Sequence, residues 1–218
     1  MSYTPIVPAV IPHSVEEVKT HAANFSFSKE FHLDVVDGKF VPYSTWPYEP
    51  AGEPLSVKPQ LDAYTLEVDL MVEQPTVAAE KWIAAGADML VFHVETLSKE
   101  VFANFADETN VSVGISFSGL TPMDTFETYL PFADYVQLMG IYEIGQQGQS
   151  LDEAVFEKIA YIKTHYPLLS ITVDGSVNEH TIERLKAAGA DRFIVGSAIT
   201  LQDSPLAAYE ALNTLING

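Results

Sequence analysis

AAGADMLVFHVE, residues 84–95, reads as the end of a helix, a glycine and then an apolar strand. Gly86 stands where a helix C-terminus commonly turns through left-handed backbone, and the run after Asp88 carries the β-branched and aromatic residues that favour a strand. The same five residues recur at Ala187 to Asp191, ahead of RFIVGSAI. A helix-to-strand junction used twice implies a repeated unit in which each helix feeds a strand.

The rest of the chain fits that unit. Apolar segments read as strands at Pro5 to Ile11, Phe31 to Val36, Tyr64 to Val72, Val111 to Phe117, Tyr135 to Met139, Ser170 to Asp174 and Phe193 to Val195. Between them lie helical patterns: one from Ser14, a plausible N-cap with Glu17 placed for a capping box, and one from Pro75 through Val77, Trp82 and Ile83. Others run near Thr121 to Leu130, Leu151 to His165, Asn178 to Ala188 and Ser204 to Ile216. About eight strand–helix pairs in alternation predict a single-domain (β/α)8 TIM barrel over residues 1–218, with its active site at the C-terminal ends of the strands. A doubly wound open sheet is the runner-up. It would need a glycine-rich turn after the first strand to hold a dinucleotide, and Pro12-His13-Ser14 is not one. The stretch Tyr43 to Pro59, rich in proline and aromatics, reads as a long loop over the site.

With 218 residues and 47% hydrophobic content, the chain can bury one substantial core. It has no cysteine, so thiolate metal sites are excluded and any metal must be held by His, Asp or Glu. Thirty acidic against 11 basic residues give a formal net charge of -19, which repels nucleic acid and anionic membranes. No apolar run approaches a membrane span, and a cytoplasmic location is the expectation. A homo-oligomer is expected, and Trp46, Tyr48 and Tyr129 are candidates either for its interface or for burial under a loop or in the core.

In a barrel, His32 and Asp34 on the second strand, Asp69 on the third, His93 and Glu95 on the fourth and Asp174 on the seventh converge at one mouth. A buried carboxylate beside an imidazole calls for a cation, a metal or a substrate as partner. A second set is glycines: Gly145 and Gly148 after the sixth strand, Gly175-Ser176 after the seventh, Gly196-Ser197 after the eighth. Successive amides in such loops can hold a phosphate without a cationic side chain, which suits so acidic a protein.

HLDVVDGKFVP, LEVDLMV, FHVE and the VDGS and VGSAI pair resemble, in order and over nearly the whole chain, the ribulose-phosphate 3-epimerases and their ketohexose 6-phosphate relatives. The resemblance implies epimerisation of a phosphorylated sugar at C3, with a divalent metal (Mn, Mg, Zn or Fe) and two aspartates as acid and base. Carried over by motif, Asp34 and Asp174 match those aspartates. His32, Asp34 and Asp174 match metal ligands, Met71 and Met139 match methionines lining the site, and Gly145, Gly148, Gly175, Ser176, Gly196 and Ser197 match the phosphate loops. Asp69 stands where the family has its second metal histidine, giving one histidine and three carboxylates, a set that suits Mn or Mg better than Zn. Pro12 replaces a serine, Val36 replaces a methionine, and GIYEIGQQGQS is about one residue longer than the family's loop. His93 and Glu95, also usual in the family, are assigned structural roles. The alternatives are another phosphosugar isomerase or lyase on the same scaffold, and a barrel that binds a sugar phosphate without catalysis.

Overall fold

The computed structural model describes residues 4–142, 144 and 149–218. The strands are β1 (Ile6–Val10), β2 (Glu30–Val36), β3 (Thr65–Met71), β4 (Met89–His93), β5 (Ser112–Phe117), β6 (Tyr135–Met139), β7 (Ser170–Asp174) and β8 (Arg192–Val195). All neighbours pair in parallel and β8 closes on β1, so the sheet is a closed barrel in sequence order. The open-sheet alternative is thereby excluded. The outer layer comprises α1 (Val15–Asn24), α2 (Lys58–Leu61), α3 (Pro75–Ala84), α4 (Lys99–Glu108), α5 (Met123–Glu127), α6 (Ala154–His165), α7 (Ile182–Ala188), α8 (Ser197–Thr200) and α9 (Pro205–Asn217).

Local chemistry explains the junctions. Ser14 Oγ accepts from Glu17 N at 3.1 Å, while the Glu17 carboxylate accepts from His13 N, one residue before the expected partner, at 2.7 Å. Gly86 and Gly189 take positive φ at the ends of α3 and α7, as the repeated junction predicts. The aspartate that follows each has a second duty. Asp88 and Asp191, with Asp134 ahead of β6, accept the N–H of the second residue of the preceding odd-numbered strand, from Leu66, Ile171 and Val113 at 2.8–2.9 Å. Each satisfies a donor that the barrel's lower rim would otherwise leave unpaired.

Alternation along each strand separates two layers. On β2, Leu33 and Val35 face outward into the main core shared with Val18 and Ala22 of α1, while His32 and Asp34 face the interior.

The stretch from Tyr43 to Pro59 departs from expectation. It serves mainly as outer packing between β2 and β3. Trp46 is buried edge-on against Trp82 of α3, with ring centroids 5.9 Å apart, and Val57 and Leu61 join the same core. The Pro54–Val57 turn and α2 occupy the place of a long helix. The reason is apolar area: Trp46 gains more by inserting beneath α3 than it could over a polar mouth. Tyr43, at the start of the stretch, is the part that reaches the mouth, lining a cavity of about 330 Å³ with Ile11 and His13. Of the two places open to them, Trp46 and Tyr129 take the interior, whereas Tyr48 is exposed.

Replacing Trp82 with alanine should lower stability by about 3–5 kcal/mol in urea denaturation. Trp46 then remains as the single tryptophan, and its emission should shift to the red as its buried seat opens.

Candidate active site

The barrel interior is charged. His32 and Asp34 enter from β2, Glu67 and Asp69 from β3, His93 from β4, Gln137 from β6, Asp174 from β7 and Arg192 from β8. At the lower end, the Arg192 guanidinium donates from Nε to Glu30 at 2.8 Å and from an Nη to Glu67 Oε2 at 2.7 Å. The same Glu67 oxygen lies 2.6 Å from His32 Nδ1, and His32 Nε2 lies 3.2 Å from Asp34 Oδ1. A second branch runs through Asp69. Its Oδ1 accepts from His93 Nε2 and its Oδ2 from Gln137 Nε2, both at 2.7 Å, and Gln137 also approaches Asp174 Oδ2 at 3.4 Å.

Burial and charge set the protonation states. Burial raises the Asp174 carboxyl, and the nearby charge of Asp34, with smaller contributions from Asp69 and Glu67, pushes it further, to about 8. Burial also raises Asp34, but the adjacent His32 opposes it. Burial alone would lower His32, yet Asp34 and Glu67 on its two nitrogens carry it well above the ordinary value. Burial would likewise raise Glu67, but Arg192 and His32 hold it well below the usual carboxylate range. Asp174 is therefore the carboxyl that keeps its proton at neutral pH, while Asp34, with an imidazole beside it, is the better placed to be ionised.

His32, Asp34, Asp69 and Asp174 each offer one donor atom, and these atoms lie within 4.8 Å of one another. A divalent ion fits this set. Three carboxylates crowd one buried space with imidazolium as the local counter-charge, and His32 Nδ1 is held by Glu67 in the manner of metal-bound histidines, leaving Nε2 toward Asp34. All four residues expected to hold a metal thus come together.

Above them opens a cavity of about 410 Å³, lined by Met71, Met139 and Ile141 and by Gly175, Ser176, Gly196 and Ser197. No lysine or arginine lines it among the described residues. Gly175 and Ser176 both have positive φ, at 92° and 56°. Ser176, a non-glycine held in this conformation, is fixed by its hydroxyl to Gln149 O at 3.0 Å and by Thr181 Oγ1 donating to its carbonyl at 2.7 Å. A side chain at Gly175 would meet Ile141, and one at Gly140 would lie 2.2 Å from Gly175 O, so the backbones of the two loops touch. Gly145 and Gly148 lie outside the described residues.

The model of the Ribulose-phosphate 3 epimerase family matches residues 4–200. The chain is 30% identical over 214 residues to the ribulose-phosphate 3-epimerase of Mycobacterium bovis, covering 95% of this chain and 90% of that protein. It is 31% identical over 198 residues to the enzyme of that name from Chlamydia pneumoniae, covering 87% and 82%. The chain belongs to the ribulose-phosphate 3-epimerase family. Its fold is shared more widely. A 3-hexulose-6-phosphate synthase from Salmonella typhimurium superimposes with a TM-score of 0.74 at 16% identity, covering 98% of both chains. A 3-keto-L-gulonate-6-phosphate decarboxylase from Vibrio cholerae does so with a TM-score of 0.71 at 15% identity, covering 99% and 98%.

Within this member, several partners of the site were not singled out from the sequence: Glu67, Gln137, Arg192, Gln149 and Asn178. Glu67 had a usable signal, because it stands two residues before Asp69 on a strand and so shares its face. Arg192 had none, since a charge at the first residue of a strand ordinarily faces water. His93, assigned a structural role, orients Asp69. Glu95 accepts from Ser118 N and Thr121 Oγ1, tying the loop after β5.

The buried acid makes stability depend on pH. Between its ordinary value of 3.8 and about 8, Asp174 keeps in the folded chain a proton that the unfolded chain has released, so metal-free protein should lose stability as pH rises through that window. His32 acts in the same sense, its contribution being lost as pH rises through its elevated folded value. Glu67 acts oppositely, its contribution being lost only on acidification below 4.5. Asp174→Asn should flatten the neutral part of the profile and raise stability at pH 8 by roughly 2 kcal/mol, discounted from about 1.36 kcal/mol per pKa unit because the group borders the open cavity. Melting temperatures of chelator-treated protein across pH 5 to 8 would check it.

Proposed function

We propose that this chain epimerises a ketose phosphate, ribulose 5-phosphate or a related ketohexose 6-phosphate, at C3, with Asp34 and Asp174 exchanging the proton. One observation carries the reading: two carboxyls from separate strands, one raised to about 8, share a cluster at a cavity that Gly175, Ser176, Gly196 and Ser197 also line. Inverting C3 requires a base to take the proton α to the C2 carbonyl from one face and an acid to return one to the other. Asp34, offset by His32, suits the base for one direction, and protonated Asp174 suits the acid. The roles exchange in reverse.

The other residues support these two. Gln137, reaching both Asp69 and Asp174, restrains the acid. Met71, Met139 and Ile141 give the sugar apolar walls that limit water at the reacting carbon. Gly175-Ser176 and Gly196-Ser197 would receive the phosphate through their amides, a solution that suits a protein of net charge -19 whose described residues place no cation there. A divalent ion held by His32, Asp34, Asp69 and Asp174 would supply Lewis-acid stabilisation of the charge that develops on the enediolate oxygens.

Exchange of the C3 hydrogen of ribulose 5-phosphate with deuterated solvent, followed by NMR, tests the reading. Asp34→Asn and Asp174→Asn should each slow exchange by at least about 10²–10⁴-fold while the phosphate still binds. Binding of the sugar phosphate with no exchange in the unaltered protein would instead identify a non-catalytic binding barrel. Chelation should abolish exchange, and with three carboxylates in the ligand set, Mn²⁺ or Mg²⁺ should restore it better than Zn²⁺. Stronger recovery with Zn²⁺ would remove Asp69 from the ligand set.

A further inference from the structure

Glu67 and Arg192 lie one layer below the catalytic cluster and touch neither cavity nor substrate space, yet they are joined to it without a gap. Glu67 is fully buried, and its Oε2 receives two donors, the Arg192 guanidinium at 2.7 Å and His32 Nδ1 at 2.6 Å. Arg192 is 7% exposed and reaches Glu67 and Glu30 from one planar fork. Both ring nitrogens face carboxylates, Nδ1 that of Glu67 at 2.6 Å and Nε2 that of Asp34 at 3.2 Å. When the ring is neutral it carries one proton, and the shorter contact, to a carboxylate that Arg192 holds in place, is the one that retains it. Nε2 is then the nitrogen with a lone pair to offer toward the carboxylate cluster.

We propose that Glu67, clamped by Arg192, is a positioning residue that fixes the tautomer and orientation of His32, so that Nε2 is presented to Asp34 and the mouth. The arrangement is specific in its parts. Arg192, unlike lysine, cannot release its charge and holds two carboxylates in fixed directions, so Glu67 has no freedom to turn from the ring. Glu30, on the same strand as His32, anchors the far side of the fork and ties β8 to β2 across β1. The barrel floor thereby sets the angle of a side chain at the barrel mouth.

The proposal rests on the epimerase reading only in its consequence for the metal ion; the state of His32 can be read independently. The decisive variant is Glu67→Leu with Arg192→Met, because exchanging a buried ion pair for apolar side chains of similar volume commonly leaves a fold intact. Two measurements follow on the full chain. In ¹⁵N-resolved NMR above the titration of His32, the unaltered protein should show one tautomer with the proton on Nδ1, and the variant a mixture. In calorimetric titration with Mn²⁺, affinity should fall by about 10–100-fold, the range typical for loss of a carboxylate that orients a metal-bound histidine. Should the double variant fail to fold, Glu67→Gln gives the same readings at smaller amplitude. A folded variant that keeps the Nδ1–H tautomer overturns the proposal, as does an Nε2–H tautomer in the unaltered protein. If the unaltered protein binds no divalent ion, the metal part of the functional reading fails, and the tautomer still decides this one.

Discussion

The cost of burying carboxylates governs this molecule. Asp34, Glu67, Asp69 and Asp174 all point into a barrel interior where ionised groups lose their hydration, and each must be paired, protonated or coordinated. The chain uses a different remedy at each depth. At the floor, Glu67 Oε2 is met by a permanent cation and an imidazole. Midway, Asp69 is satisfied on both oxygens by His93 and Gln137. At the mouth, Asp34 and Asp174 remain partly uncompensated, and one keeps its proton. Asp34 and Asp174 are also the two of the four that line the cavity.

The same constraint explains how an acidic protein could receive a phosphate. A cationic side chain in the cavity would be drawn to the carboxylates that line it. Backbone amides cannot move in that way. The positive φ angles at Gly175 and Ser176, and the near contact of Gly140 with Gly175, show loops pressed into shape, so their N–H groups are fixed in direction before any ligand arrives.

Much of this was legible in the sequence, for physical reasons. The repeated AAGAD junction exposed the barrel because a helix that feeds a strand needs both a left-handed glycine and, at the rim, an acceptor for a loose N–H; two helix–strand junctions met both needs with the same residues. His32, Asp34, Asp69 and Asp174 were legible because strand alternation and barrel closure together leave them no other place to point. Less legible was anything decided by competition for burial. The Tyr43 to Pro59 stretch looked like a lid from its prolines and aromatics, but Trp46 fits better against Trp82 than over a polar opening. Arg192 was opaque for a related reason, because a charge at a strand start gives no sign whether it faces water or a carboxylate inside the barrel.

Asp69 stands where the resemblance to the family implies a histidine, and its surroundings show how an aspartate is accommodated there. A histidine at that position would be neutral or cationic among three other carboxylates; an aspartate adds a charge instead. The chain meets that charge with two N–H donors, His93 from β4 and Gln137 from β6, rather than with a second guanidinium. Neutral or weakly basic donors leave the carboxylate its anionic character and its remaining lone pairs, whereas a guanidinium would quench both. Gln137 then links Asp69 to Asp174, so a change at either carboxylate reaches the other through one side chain. A site rebuilt in this way keeps a strongly negative pocket, and a strongly negative pocket of oxygen donors is one that favours hard divalent cations over soft ones.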